Sequence, residues 1–190
     1  MPSLVDANYR PILVTAPTSD AVTLAQAKKQ VEIADSDTAH DEHLHELIDR
    51  ARDEFETDCD MCIAAQTWKV YADDVYDGMQ LQKGPIQSIT SIKYYDSGNA
   101  LQTLATSIYN FDAANRMVRL QYDQVWPSFT NRWDAWEITY LCGFATLPPM
   151  AMQAMLILIE KYFLGREPSK EPTFATYQRL VNKMQRSTYP

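Results

Sequence analysis

The chain has 190 residues, 46% of them hydrophobic, and a formal net charge of −8. That length suits one domain, or one domain with a sizeable insertion. The acidic balance argues against sequence-independent nucleic-acid binding by the whole chain. The sequence has no apolar run long enough to cross a bilayer and no N-terminal signal pattern, so a cytoplasmic chain with no membrane partner is expected. The charge is uneven: residues 1–62 hold 14 acids and 5 bases (−9), residues 63–147 hold 8 and 6 (−2), and residues 148–190 hold 3 and 6 (+3). A chain acidic at one end and basic at the other can stack head to tail or dock on a charged partner. The simpler reading of the acidic part is a solvated helix face.

Residues 1–22 contain Pro2, Pro11 and Pro17 and read as an extended, irregular arm. Thr23-Leu24-Ala25-Gln26 is a capping-box pattern that opens a first helix, with Leu24, Ala27, Val31 and Ile33 as its apolar stripe. Polar residues 34–39 break it, and Asp37 or Thr38 is expected to cap the next helix. That helix, over residues 41–62, organises the chain. Leu44, Leu47, Ile48, Ala51, Phe55 and Cys59 fall on one helical face, and Glu42, Glu46, Asp49, Arg50, Asp53, Glu54 and Asp58 lie on the other. One apolar stripe needs a partner surface, and residues 24–33 and 149–164 are the candidates.

After Cys62 the period changes from helical to alternating. Trp68, Val70 and Ala72 mark a strand, followed by a polar turn at residues 73–78, then Met79 and Leu81. Residues 86–95 alternate with a misphase at Ile89, which predicts a bulge. Asp96-Ser97-Gly98-Asn99 is a tight turn. Short strands are expected at residues 101–104, 107–111 and 117–122. A last strand over residues 136–141 puts Trp136, Ile138 and Tyr140 on one face. Short strands separated by turns predict an antiparallel sheet or small sandwich.

Pro148 and Pro149 mark the return to helix. Residues 150–164 are apolar around most of the circumference, which fits a central helix or one in an oligomer interface. Gly165 is placed to end it. After a charged, Pro-containing linker, residues 173–186 form a final amphipathic helix. Phe174, Tyr177, Leu180, Val181 and Met184 share one face, and Arg179, Lys183 and Arg186 lie off it. The fold class is α+β: a helical bundle from residues 23–62 and 148–165, an antiparallel β insertion over residues 66–145, and a C-terminal helix over residues 171–187.

Candidate chemistry is thin. Cys59-Asp60-Met61-Cys62 is a lone C-x-x-C at a helix end, where the helix dipole disfavours a thiolate. With Cys142 it makes three cysteines, an odd count that argues against a disulfide framework. A zinc site using Cys59, Cys62 and Cys142 lacks a fourth ligand. Buried structural cysteines are the simpler reading. His40, His43 and His45 make no recognised ligand spacing and read as a solvated helix start. Asp73, Asp74 and Asp77 read as a turn, although paired carboxylates can do acid–base work. No nucleophile elbow, Walker or dinucleotide motif occurs, so no catalytic, cofactor or metal site is expected. A small thiol or metal enzyme, or a DNA-binding module using the basic last helix, are the rival readings.

The order of the motifs is more specific than any one of them. It runs through Leu24-Ala25-Gln26-Ala27-Lys28, Ala51-Arg52 with Glu54 and Glu56, and Gln66-Thr67-Trp68. It continues through Gly84-Pro85-Ile86, Ser88-Ile89, Ser91-Ile92, Tyr94-Tyr95-Asp96, Tyr109, Phe111-Asp112 and Trp126-Pro127. Ile138-Thr139-Tyr140, Gly143-Phe144, Pro148-Pro149 and a pattern of Ala154, Leu156, Leu158, Tyr162 and Arg166-Glu167 complete it. From about residue 15 to 167 the chain resembles the head–tail connector (adaptor) family of tailed phages, in the branch with a β insertion between helices. The residues after Pro168 match less well.

The resemblance implies a non-enzymatic subunit of a homo-oligomeric ring, commonly about a dozen copies. The ring sits in the virion neck beneath the portal protein and joins it to a stopper or tail-completion protein. DNA passes through the lumen without sequence-specific binding. The C-terminal helix is then expected to dock into the portal, with Phe174, Tyr177 and Leu180 as apolar anchors and Arg179, Lys183 and Arg186 as charge partners.

Overall fold

A computed structural model describes residues 10–17, 20–165 and 172–188. Within them the chain order is β1 (Arg10–Thr15), α1 (Leu24–Gln30), α2 (Asp41–Cys59), β2 (Gln66–Ala72), β3 (Met79–Gln80), β4 (Ile86–Tyr95), β5 (Leu101–Thr103), β6 (Tyr109–Asp112), β7 (Met117–Leu120), β8 (Trp136–Cys142), α3 (Pro149–Phe163) and α4 (Pro172–Thr188). This is the α+β arrangement expected, divided into two compact units. One takes the N-terminal strand and residues 65–143, the other residues 17–64 and 144–190.

In the helical unit, α1 starts where the capping box places it. Thr23 Oγ1 accepts from the Gln26 amide at 3.3 Å, and Gln26 Oε1 accepts from the Thr23 amide at 2.9 Å. Two orphan amides at the helix start are thereby satisfied. The buried residues of α2 are Leu44, Leu47, Ile48, Ala51, Phe55 and Cys59, the stripe read from its spacing. They join Ala27 of α1 and Ala151, Ala154, Met155, Ile157, Leu158 and Ile159 of α3 in one core. Fully burying a large apolar side chain contributes ~1.5–3 kcal/mol, so this shared stripe dominates the unit's stability.

Two boundaries depart from expectation. α2 ends at Cys59 rather than Cys62, because Asp60 turns left-handed at φ 52°. The Met61 amide then reaches back to the Glu56 carbonyl at 3.2 Å, and the Ile63 amide donates to Glu56 Oε1 at 2.6 Å. These bonds satisfy groups that a longer helix would have used. The residue at the N-cap of α2 is His40, with no side-chain cap; Asp37 Oδ1 instead accepts from Ala39 within the preceding turn at 2.9 Å.

That turn is held by a residue the hydrophobic pattern could not flag. Lys28 on α1 is 4% exposed. Its Nζ lies 2.6 Å from Asp41 Oδ1 and donates to the Asp35 and Asp37 carbonyls at 3.2 and 2.8 Å. One ammonium thus ties the α1–α2 connection to the first residue of α2.

The β unit holds a five-stranded sheet in the order β1-β2-β8-β4-β5 and a three-stranded sheet β3-β7-β6, all paired antiparallel. Central β8 alternates as expected, with Trp136, Ile138, Tyr140 and Cys142 buried. The misphase in β4 is real: its register against β8 shifts between Ile86 and Ser88 and again between Ile89 and Ser91. Residues 10–15 are not irregular arm but strand β1, paired to β2 from Arg10↔Tyr71 to Thr15↔Thr67. Pro11 is tolerated because β1 is an edge strand.

The turn after β4 rests on Asp96. Its Oδ1 accepts from the Gly98 and Ala100 amides at 2.9 and 3.0 Å, and its Oδ2 from Gln102 Nε2 at 2.8 Å. The Ala100 amide, then the Gln102 side chain, hold its carboxyl below the ordinary carboxylate range. A folded-state pKa below the unfolded value means the turn's contribution is present above the ordinary carboxylate pKa and is lost as pH falls through the depressed one. We expect the Gly98 and Ala100 amide resonances to titrate together below the ordinary Asp midpoint. The Asp96→Asn variant should abolish that titration; a midpoint at the ordinary value would contradict the account.

Candidate assembly surfaces

α4 is an amphipathic helix laid on the bundle of its own subunit. Tyr177, Val181 and Met184 are 1%, 8% and 3% exposed and belong to the helical core. The Tyr177 ring meets Phe55 of α2 edge-on at 6.3 Å, and its hydroxyl donates to Asp58 Oδ2 at 2.6 Å. Gln185 Nε2 adds a bond to the Asp58 carbonyl at 2.7 Å. Burial, then the Asp58 hydrogen bond, pushes the phenol well above its usual pKa, so it stays a donor.

Of the six residues expected to dock on a partner, Tyr177 is therefore inserted into its own subunit's core, and Leu180 is partly buried against it. Arg179 and Lys183 are exposed on the outer face of α4 beside exposed Gln178 and Asn182. The side chains of Phe174 and Arg186 lie outside the described residues. What the spacing did not reveal was which partner the apolar stripe takes, because one amphipathic face fits its own bundle as well as another protein.

The other side of the helical unit is acidic. Glu42, Glu46, Asp49 and Asp53 are exposed along α2. Arg52 bridges two of them, at 2.9 Å to Asp49 and 3.1 Å to Asp53. Helix α3 is central: it packs on α1, α2 and α4. Its polar residues pair with neighbouring helices, Glu160 with Gln30 at 2.6 Å and Lys161 with Glu54 at 3.8 Å, while the Arg50 guanidinium stacks 3.8 Å from the Tyr162 ring centre. The apolar circumference of α3 is thus used within the subunit.

The residues read as possible chemistry fall into structural roles. Cys59, Cys62 and Cys142 are buried free thiols. Burial, then the nearby Asp58 charge, pushes the Cys59 thiol up to about 12, so it is protonated at neutral pH and a poor nucleophile. His40 and His43 lie against the Phe163 ring at 5.7 and 6.1 Å, and His45 Nδ1 is 3.8 Å from Asp20. Asp74 Oδ1 accepts from the Val75 amide, and Asp77 Oδ1 from the Leu120 amide at 2.8 Å, so both serve the turn. Among the described residues no group of three or more His, Cys, Asp or Glu is placed to hold a metal. Nor is any described helix long and apolar enough to cross a membrane.

The β unit carries an aromatic cluster around Trp136, which is fully buried. Tyr94 stacks on it at 5.1 Å, and Phe129 and Trp126 meet it edge-on at 5.4 and 5.7 Å. Nearby loops expose Tyr122, Val125 and Trp133, at 97%, 79% and 56%. On strand β1, Ile12, Leu13 and Val14 are 50%, 43% and 53% exposed. These are among the large apolar side chains of the β unit most open to water.

No protein-family model matches the chain, and no curated protein matches it in sequence. Solved structures do share its fold. A chain in the virion of a native gene transfer agent (GTA) particle superposes with a TM-score of 0.76 at 17% identity, covering 92% of this chain and 94% of that one. A chain in the neck of an empty GTA particle computed with C6 symmetry gives 0.73 at 17% identity, over 90% and 94%. A chain in the neck of a native GTA particle computed with C12 symmetry gives 0.70 at 17% identity, over 93% and 94%. The likeness spans both units of the chain.

Proposed function

We propose that the chain is a structural subunit of a neck ring in a phage-like particle, a head–tail connector that joins the portal of the capsid to stopper or tail components. The observation that carries this reading is the fold likeness to neck chains over nine-tenths of both partners, at a TM-score of 0.73 for the chain in the C6 neck. The order of sequence motifs, which resembles that of the head–tail connector family, supports the same reading. In this reading the protein is not an enzyme, needs no cofactor or metal, works in the virion after assembly in the host cytoplasm, and lets DNA pass through the ring without sequence-specific binding. The acidic face of α2 suits a lumen that repels phosphate.

Portal docking is assigned to α4. With Tyr177 and Leu180 holding α4 on the bundle, its outward Arg179 and Lys183, with Arg186, are the charge partners, and Phe174 is the remaining apolar anchor. Removing residues 171–190 would also uncover the bundle face under Tyr177, so charge reversal is the cleaner test. The double variant Arg179→Glu/Lys183→Glu should keep native thermal stability, since both side chains are exposed. It should lose at least about tenfold in portal affinity, the range seen for close interfacial charge pairs. Unchanged recruitment would remove α4 from the docking role.

The ring itself is tested by light scattering on the purified protein, alone and with the portal. A ring-sized mass, or many copies recruited per portal, is expected. A monomer that ignores the portal would overturn the reading.

A further inference from the structure

Among the described residues, strand β1 is the outer strand of the five-stranded sheet and pairs with β2. Side chains along a strand alternate between faces. Half exposure of three consecutive residues, Ile12, Leu13 and Val14, therefore means that both faces of this edge are open. Among the described residues, no backbone–backbone hydrogen bond reaches its outer row of donors and acceptors. Edge strands that end a sheet are normally blunted by charged side chains, prolines or bulges. Here the only charge is Arg10 at the start of the strand, and the remaining protection is Pro11 and the irregularity between Leu13 and Thr15. The opposite edge, β5, is only three residues long.

We propose that the open edge of β1 receives an added strand from a second copy of this chain, and that the donor is the segment directly before Arg10. This rests on the ring reading for the identity of the partner. Nine residues, 1–9, precede β1. Fully extended they reach about 30 Å, enough to cross from one small subunit to the next. Their pattern suits a strand: Val5, Ala7 and Tyr9 alternate with Asp6 and Asn8.

A hairpin back onto the same β1 is disfavoured. Arg10 is already paired to Tyr71, so the reversal would fall within Ala7-Asn8-Tyr9. Tight hairpin turns need positive φ at their central residues and strongly prefer glycine, and residues 1–9 contain none. Donor segment and acceptor edge are different surfaces, so the contact is head to tail. A contact of that kind repeats around a ring when its rotation closes. Main-chain hydrogen bonds would supply the affinity, and Ile12, Leu13 and Val14 would be covered on both faces.

The test is disulfide capture between copies. Copies carrying Val5→Cys are mixed with copies carrying Val14→Cys, with Leu4→Cys and Asp6→Cys run in parallel to span the register. Mixtures with Gln124→Cys, another exposed position, report random collision. The native thiols are buried and stay silent under mild oxidation. Disulfide-linked dimers at least tenfold above the Gln124→Cys mixture are expected for one or more arm positions. Equal yields in both mixtures would overturn the proposal, as would a Val5→Cys/Val14→Cys double variant that closes only within one chain. A ring-sized native species without preferential capture would sink the strand exchange alone; preferential capture without a ring-sized species would sink the ring and leave the exchange.

Discussion

Replacing Tyr177 with alanine should cost about 3–5 kcal/mol of stability in the helical unit, the range for deleting a buried aromatic side chain. The ring is 1% exposed, meets Phe55 and donates to Asp58, so its loss leaves a cavity under α4 and an unmatched carboxylate beside it. The damage should concentrate in α4, which packs chiefly on α2 and α3. Amide exchange along α4 is expected to approach unprotected rates while α1 and α2 stay protected. Tyr177→Phe keeps the ring and should lose only about 1 kcal/mol, the net worth of one hydrogen bond. If α4 presents the portal-facing charges from a fixed platform, Tyr177→Ala should also weaken portal recruitment, and Tyr177→Phe should not. Native exchange rates in α4 of the alanine variant would show that the Tyr177 contact does not hold it.

The second large effect is expected at Lys28. Removing one partner of a buried ion pair is destabilising by about 3–5 kcal/mol, because the remaining groups lose their compensation. Asp41 is partly exposed, at 29%, and can regain water, which places Lys28→Met at the low end, about 3 kcal/mol. The Asp35 and Asp37 carbonyls lose their donor at the same time, so the α1–α2 connection should fray first. Urea unfolding of Lys28→Met, with Asp41→Asn alongside, measures both quantities. The aspartate variant keeps the carbonyl bonds but leaves the buried ammonium without its counter-charge, so a loss of similar size is expected. A much smaller loss would mean that the carbonyl cradle, not the ion pair, is the larger contribution.

These two residues also mark where reading the chain stops being sufficient. Periodicity identified the helical stripe of α2 residue by residue, since a side chain's place on a helix follows from 3.6-residue geometry alone. The alternation of β8, the misphase of β4, and the capping box at Thr23 were open to the same local reasoning. Helix ends were less so. α2 stops at Cys59 because Asp60 adopts a left-handed conformation that glycine, not aspartate, usually signals. Pro11 makes residues 10–15 look irregular, yet they pair with β2, a partner more than fifty residues away that local pattern cannot name.

The assembly surfaces divide along the same line. Local pattern is enough to give α4 one apolar and one basic face, and α2 an apolar stripe opposite an acidic one. What each face meets is set by tertiary packing. It placed Tyr177 in its own core, left Arg179 and Lys183 in water, used up the apolar circumference of α3, buried Cys59, and opened both faces of β1. The physical reason is that amphipathicity specifies how much surface must be covered, and not which surface covers it. That choice depends on contacts between residues distant in the chain, formed only when the whole core closes.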